Sequence, residues 1–383
     1  MNIYLDNAAT AKCGEIDGVI INEMTNAMDK FWQNPSSLYA GRVKDKVNKC
    51  RNNIAKFIGA KTEEIIFTGG ASESNNTAIR GWVDEQLLDG YKAVSVITTP
   101  TEHKSILEMI RSKSLNASVR YCEINEDGIV DYNSLKSLLW MHEGEPILVS
   151  IGMANNEIGT IQDIKNISDL VHSYGGIFHT DITQVLGHIP INVNELGVDM
   201  ASASGHKISP VLKGVGFLFK RSNIDIQPLV YGSQEGGLRG GTENTFGIIG
   251  LSKALELCDI NTQKIRELCD KRNYFINLLE SKFSCKLNGH REQRLPNNIN
   301  VTFPQNITGE SLLYTLETSG IYISTGSACN SKSIEPSYVL RAIGLTDEQA
   351  IKTVRFSLPA DITCEEIDIV VDEINKSIKL IEI

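Results

Sequence analysis

Between Lys61 and Phe219 short apolar runs alternate with amphipathic stretches, the pattern of an α/β domain built on a largely parallel sheet. It predicts strands at Glu64 to Thr68, Ala93 to Ile97, Val119 to Glu123, Ile147 to Ile151, Ile177 to Thr180, Met200 to Ala203 and Val215 to Lys220. Helices are expected between them, for example over Asp163 to Tyr174, where Ile164, Ile167, Leu170 and Val171 recur at helical spacing. Past Thr242, helical stretches over Phe246 to Cys258 and Lys264 to Phe283 lead into a second pattern. There, strands near Asn298 to Phe303, Ile321 to Ile323 and Val354 to Ser357 mix with helices near Gly309 to Ser319, Ser337 to Ile343 and Thr363 to Ile383. The expected division is a large domain over residues 13–257, with a seven-stranded, mostly parallel sheet. A small α+β domain takes residues 1–12 and 258–383.

Open α/β sheets bind ligands at the carboxyl ends of their strands. The polar residues worth attention fall there, at Thr68 to Asn76, Thr101 to His103, Asn155-Asn156, Asp181 to Gln184 and Ser204 to Lys207. Composition narrows what they do. A net charge of −10 leaves no basic stripe to neutralise phosphates, so direct nucleic-acid binding is not expected as the main activity. The N-terminus lacks a basic region followed by an apolar core, and no run of about 18 apolar residues occurs, so a cytoplasmic protein off the membrane is expected. Eight cysteines are scattered singly, with neither Cys-x-x-Cys nor Cys/His ligand spacing, so neither a metal site nor a disulfide framework is expected. Cys329 stands apart because its stretch, Ser324 to Ser333, is a Gly- and Ser-rich polar run that predicts an exposed, mobile loop and a thiol placed to react.

Each strand end offers one chemical group. Glu64-Ile65-Ile66-Phe67-Thr68 runs into Gly69-Gly70-Ala71-Ser72, where free backbone N–H groups form a phosphate cradle or simply start a Ser-capped helix. This is neither a dinucleotide Gly-x-Gly-x-x-Gly nor a Walker loop. Asp181 stands at a sheet edge where its carboxylate would keep a ring nitrogen protonated, or cap the following turn. His103 would stack on a ring or shuttle protons, and Lys207, just past an apolar strand, is a candidate Schiff-base former. Each has an ordinary structural alternative. Their joint occurrence in order, together with Asn156 and Gln184, matches pyridoxal phosphate.

At this point a resemblance becomes specific. The runs Tyr4-Leu5-Asp6-Asn7-Ala8-Ala9-Thr10, Thr101-Glu102-His103-Lys104, Asn155-Asn156-Glu157-Ile158-Gly159, Ser204-Gly205-His206-Lys207, Gly326-Ser327-Ala328-Cys329 and Val354-Arg355-Phe356-Ser357 span essentially the whole chain. Together they resemble the cysteine desulfurases of the nitrogen-fixation and iron-sulfur-cluster-assembly type, class-V members of the fold-type I pyridoxal-phosphate enzymes. The resemblance implies that Lys207 carries the cofactor, Asp181 pairs with its ring nitrogen and His103 stacks on the ring. It implies that Asn156 and Gln184 hydrogen-bond the phenolic oxygen, and that Ala71, Ser72, Ser204 and His206 hold the phosphate. Thr242 would reach the phosphate from a second subunit, so a homodimer is implied. Arg355 and Asn34 would clamp the substrate carboxylate, L-cysteine would yield L-alanine, and Cys329 would carry the sulfur as a persulfide to an acceptor or scaffold protein.

The chain departs from the family pattern at Tyr39, Ile182 and Gly236, and between Ile208 and Gly214, where the turn after the lysine is longer by one residue. A selenocysteine lyase or a small-amino-acid aminotransferase would use Lys207 and Asp181 equally, the aminotransferase without Cys329. An alternative of a different class is a non-catalytic member acting as a binding partner in a sulfur-transfer or nucleic-acid modification complex.

Overall fold

The computed structural model describes residues 2–325 and 336–381; Cys329 lies outside the described residues. The chain opens on a two-residue strand, β1 (Ile3–Tyr4), and then lays down the strands of the central sheet: β2 (Ile65–Thr68), β3 (Ser95–Thr98), β4 (Ser118–Tyr121), β5 (Ile147–Ser150), β6 (Ile177–Asp181), β7 (Met200–Ser204) and β8 (Gly216–Lys220). Each of the seven expected strands forms, with its ends within two residues of the sequence reading. Their spatial order is β2-β8-β7-β6-β5-β3-β4, all parallel except β8, which runs against both neighbours. The exception has a simple cause: β7 and β8 are joined without a crossover helix, and a parallel return needs one. Lys207 lies in that connection.

Strands buried on both faces read as continuous apolar runs, and neighbouring residues enter opposite cores. Ile65 and Phe67 join one core, with Val149, Phe178 and Phe217, under the helices Glu15–Lys30, Gly41–Ile58 and Thr245–Leu257. Ile66 joins the other, with Val96, Leu148, Met200 and Leu218, under the helix Ala71–Leu88.

A third core gathers Phe275, Phe303 and Phe356 around a separate antiparallel sheet of β9 (Lys286–Leu287), β10 (Asn298–Thr302) and β12 (Thr353–Ser357), ordered β12-β10-β9. The remaining strand, β11 (Ile321–Tyr322), pairs in parallel with β1, Ile3 opposite Ile321. A further bridge sets Asp6 beside Ser357. The N-terminal residues thus belong by their pairing to the second core and reach from it to the central sheet. No helix among the described residues is long and apolar enough to cross a membrane.

Candidate active site

A cavity of about 840 Å³ opens at the carboxyl ends of the central strands, a volume typical of small-molecule sites. Ala71, Ser72, His103, Asn156, Asp181, Gln184, Ser204, His206, Lys207 and Arg355 all line it. Asn34 and Thr242 do not: both are exposed, and Asn34 accepts from the Ser36 N–H at 2.9 Å within its own turn. The structure brings ten of the expected residues together and leaves these two outside.

The Gly69-Gly70 turn explains the cradle. Gly70 sits at φ 144°, which a side chain rarely adopts, and Gly216 beside it has no room for one, since a Cβ there would lie 2.7 Å from Gly70 Cα. The helix Ala71–Leu88 starts with no side-chain cap, so its first-turn N–H groups keep their capacity for an anion. Across the turn, Ser204 Oγ lies 2.7 Å from His206 Nδ1. Desolvation and the charges of Lys207 and Lys213 push the His206 pKa down to about 4, so that ring is neutral.

Asp181 ends β6 with both carboxylate oxygens held: Oδ1 accepts from the Thr183 N–H at 2.9 Å and Oδ2 from Asn75 Nδ2 at 2.8 Å. Each oxygen keeps a second lone pair. His103 caps the helix Lys104–Arg111, its Nδ1 accepting from the Ser105 N–H. Lys207 Nζ donates to the carbonyls of Ala8 and Ala9, at 2.7 and 2.6 Å. Burial and the nearby Arg355 guanidinium lower its pKa to about 8, so a neutral amine forms there at far lower pH than on an exposed lysine.

The opposite wall carries Arg355 on β12. Its Nη2 donates to Asp6 Oδ1 at 2.6 Å and its Nη1 to the Asn156 carbonyl at 3.0 Å. Arg355 is only 4 % exposed, yet its Nε has no partner among the described residues, and neither does the buried Thr183 Oγ1. Buried donors left unpaired around one cavity mark where a ligand completes the set.

Sequence reading missed Asn75, Ser105 and Thr183 as supports and gave Asp6 no role of its own. A signal existed for Asn75: two adjacent asparagines, Asn75-Asn76, inside a helix that disfavours them. The departures from the family pattern are accommodated without disturbing these groups. Ile182 is packed in the main core, Tyr39 is exposed, and Gly236 adopts φ 66°. The long turn after Lys207 folds into a short helical turn, Pro210–Leu212, with Ser209 hydrogen-bonded to the buried Asp17.

Comparison with known proteins agrees with this geometry. The chain matches the Aminotransferase class-V family over residues 3–370. It is 42% identical over 387 residues to the cysteine desulfurase IscS of Dictyoglomus turgidum, covering 98% of this chain and 94% of that one. Among solved structures, a NifS-like protein superimposes with a TM-score of 0.88 at 31% identity, covering 99% of this chain and all of the other. SspA in complex with cysteine gives a TM-score of 0.80 at 32% identity, over 94% of this chain and 99% of that one. The chain belongs to the class-V aminotransferase family, in its cysteine desulfurase branch, with the fold-type I architecture of that family.

Proposed function

We propose that this protein binds pyridoxal 5'-phosphate and removes sulfur from L-cysteine, releasing L-alanine and passing the sulfur from Cys329 to an acceptor protein. The observation that carries the reading is a half-buried lysine amine and a doubly held aspartate lining one cavity, beside an uncapped helix start. The uncapped start, the closely packed Gly70 and the unpaired Arg355 Nε and Thr183 Oγ1 fit a phosphorylated ring cofactor with its amino-acid substrate.

When bound, pyridoxal phosphate supplies an electron sink that stabilises negative charge at the substrate α carbon. Lys207 would hold its aldehyde, and its neutral amine would take the substrate α proton. Asp181 would pair with the ring nitrogen, His103 would cover the ring face, and Asn156 and Gln184 would donate to the phenolic oxygen. Ala71 and Ser72 would give backbone N–H groups to the phosphate, with Ser204 and His206 completing its seat. Arg355 takes the substrate carboxylate with the planar fork that suits it, assisted by Asn34. The Cys329 thiolate would bond to the substrate sulfur as the carbon–sulfur bond breaks; the bonding pair would go to the substrate carbon, which would take up a proton on the way to alanine, leaving a persulfide on the enzyme.

The assignment of residues 13–257 to cofactor binding and of 1–12 with 258–383 to the small domain belongs to the same reading, as does a cytoplasmic homodimer. The loops holding Asn34 and Thr242 support the dimer. They are tied together through Gln234, which donates to Ser36 Oγ and accepts from the Gly241 N–H, and they expose Trp32, Leu38, Tyr39 and Tyr231. A second copy covering this surface would bring Thr242 to its partner's phosphate.

The test is conversion of L-cysteine to L-alanine and, with a reductant, sulfide. Cys329→Ala should abolish sulfide release while keeping the visible absorption of bound cofactor, and Lys207→Ala should lose both activity and that absorption. Full activity in Cys329→Ala would sink the persulfide route and favour a lyase.

A further inference from the structure

We propose that Asn75 and Ser105 are positioning residues that fix the tautomer of His103, so that the ring meets the cavity as a neutral imidazole donating from Nε2. The direction of every hydrogen bond follows from counting donors. The Ser105 N–H donates to His103 Nδ1 at 3.1 Å, so Nδ1 presents a lone pair. Ser105 Oγ lies 2.8 Å from the same nitrogen, and a hydroxyl facing a lone pair donates. Asn75 Nδ2 donates to Ser105 Oγ at 3.0 Å, which occupies the acceptor side of the hydroxyl and turns its hydrogen toward the ring. The same amide nitrogen donates to Asp181 Oδ2 at 2.8 Å. It cannot flip, because its carbonyl oxygen would then face a carboxylate.

Asn75 is fully buried within the helix Ala71–Leu88, and its Oδ1 has no partner among the described residues. An amide kept there with one end unsatisfied is held for what its other end does. It joins the carboxylate beneath the cavity to the imidazole beside it by one directed chain.

The surrounding groups act in the same sense. Desolvation by the cavity wall and the charges of Lys207 and Lys104 lower the His103 pKa, opposed by Asp181. A second ring proton would have to enter at Nδ1, where two hydrogens already point. His103 therefore gives a hydrogen bond without carrying charge, and proton transfers in the cavity fall to the Lys207 amine. This deepens the proposed function and rests on it for what the ring faces. The tautomer belongs to the cofactor-free chain.

Nitrogen NMR of ¹⁵N-histidine-labelled, cofactor-free protein tests it directly. Wild type should show His103 protonated on Nε2 alone at neutral pH. Ser105→Ala should raise the His103 pKa by about half a unit to one unit and admit the second tautomer, and Ser105→Thr should restore the original signals. Asn75→Ala should produce a similar change in the wild-type background and none in the Ser105→Ala background. A wild-type ring protonated on Nδ1, or doubly protonated at neutral pH, overturns the proposal. So does an Asn75→Ala shift of equal size with and without Ser105, which would mean that Asn75 acts through Asp181 alone. Because the readout needs neither cofactor nor turnover, a failure of the desulfurase assay would leave this result standing, and the reverse.

Discussion

On the sheet side of the cavity three polar groups are each held by a residue two positions away: Asp181 by Thr183, His103 by Ser105, His206 by Ser204. On the opposite side the partners are far apart in sequence: Arg355 to Asp6 across 349 positions, Arg355 to Asn156 across 199, and Lys207 to Ala8 across 199. The near-neighbour contacts form with the turn that ends each strand and cost little further loop closure. The distant ones exist only once two separate cores have met. One wall is a property of the sheet; the other is a property of the whole fold. Substitutions on the two sides should therefore fail in different ways.

Lys207 belongs to both walls, and its loss should be the most severe. Lys207→Ala should reduce alanine formation by about 10³-fold or more, in line with removal of a covalent and general-base group. Next comes the far wall. Arg355→Ala should lower kcat/KM for L-cysteine by about 10²-fold and also destabilise the protein by roughly 2–4 kcal/mol, because Asp6 is left half-buried without its charge partner. A urea titration beside the kinetics would expose the double loss. If stability is untouched, the two walls are not built differently.

Asp6→Asn is gentler and separates electrostatics from packing. Asp6 raises the Lys207 pKa, so removing its charge should carry that pKa below about 8 and move the acidic limb of the pH–rate profile toward lower pH. A limb displaced to higher pH would contradict the assignment.

The smallest effect is expected on the sheet side. Glu102 is buried, accepting from Thr99 Oγ1 and the Gly152 N–H, and burial raises its pKa to about 7 from an ordinary value of 4.5. The folded chain thus keeps a proton that the unfolded chain sheds. The associated stability is fully present below pH 4.5 and is lost as pH climbs through about 7. Glu102→Gln should flatten that slope, by roughly 1–3 kcal/mol between acid and neutral pH, with thermal midpoints as the readout.

The same contrast governs what the sequence made legible. The central strands were placed to within two residues because an apolar run four or five residues long, closed by polar ones, leaves little choice. The strand-end groups Asp181, His103, Ser204 and Lys207 were legible for the same reason, since the strand that aims each one is adjacent in sequence. The two-residue strands β1 and β9 carry too few positions to show any period. The reversal of β8 followed from the short Lys207 connection but was not drawn from it. The pairing of Arg355 with Asp6 has no local trace at all. Asn75 was overlooked because its importance lies in two partners, Ser105 and Asp181, from two other elements.

The pairing of β1 with β11, and of Asp6 with Ser357, also sets an order in time. On a translating ribosome the first residues emerge long before the segments they dock against. The contacts of Asp6 with Arg355 and of Asn7 with Ser357 can close only after synthesis has passed Ser357.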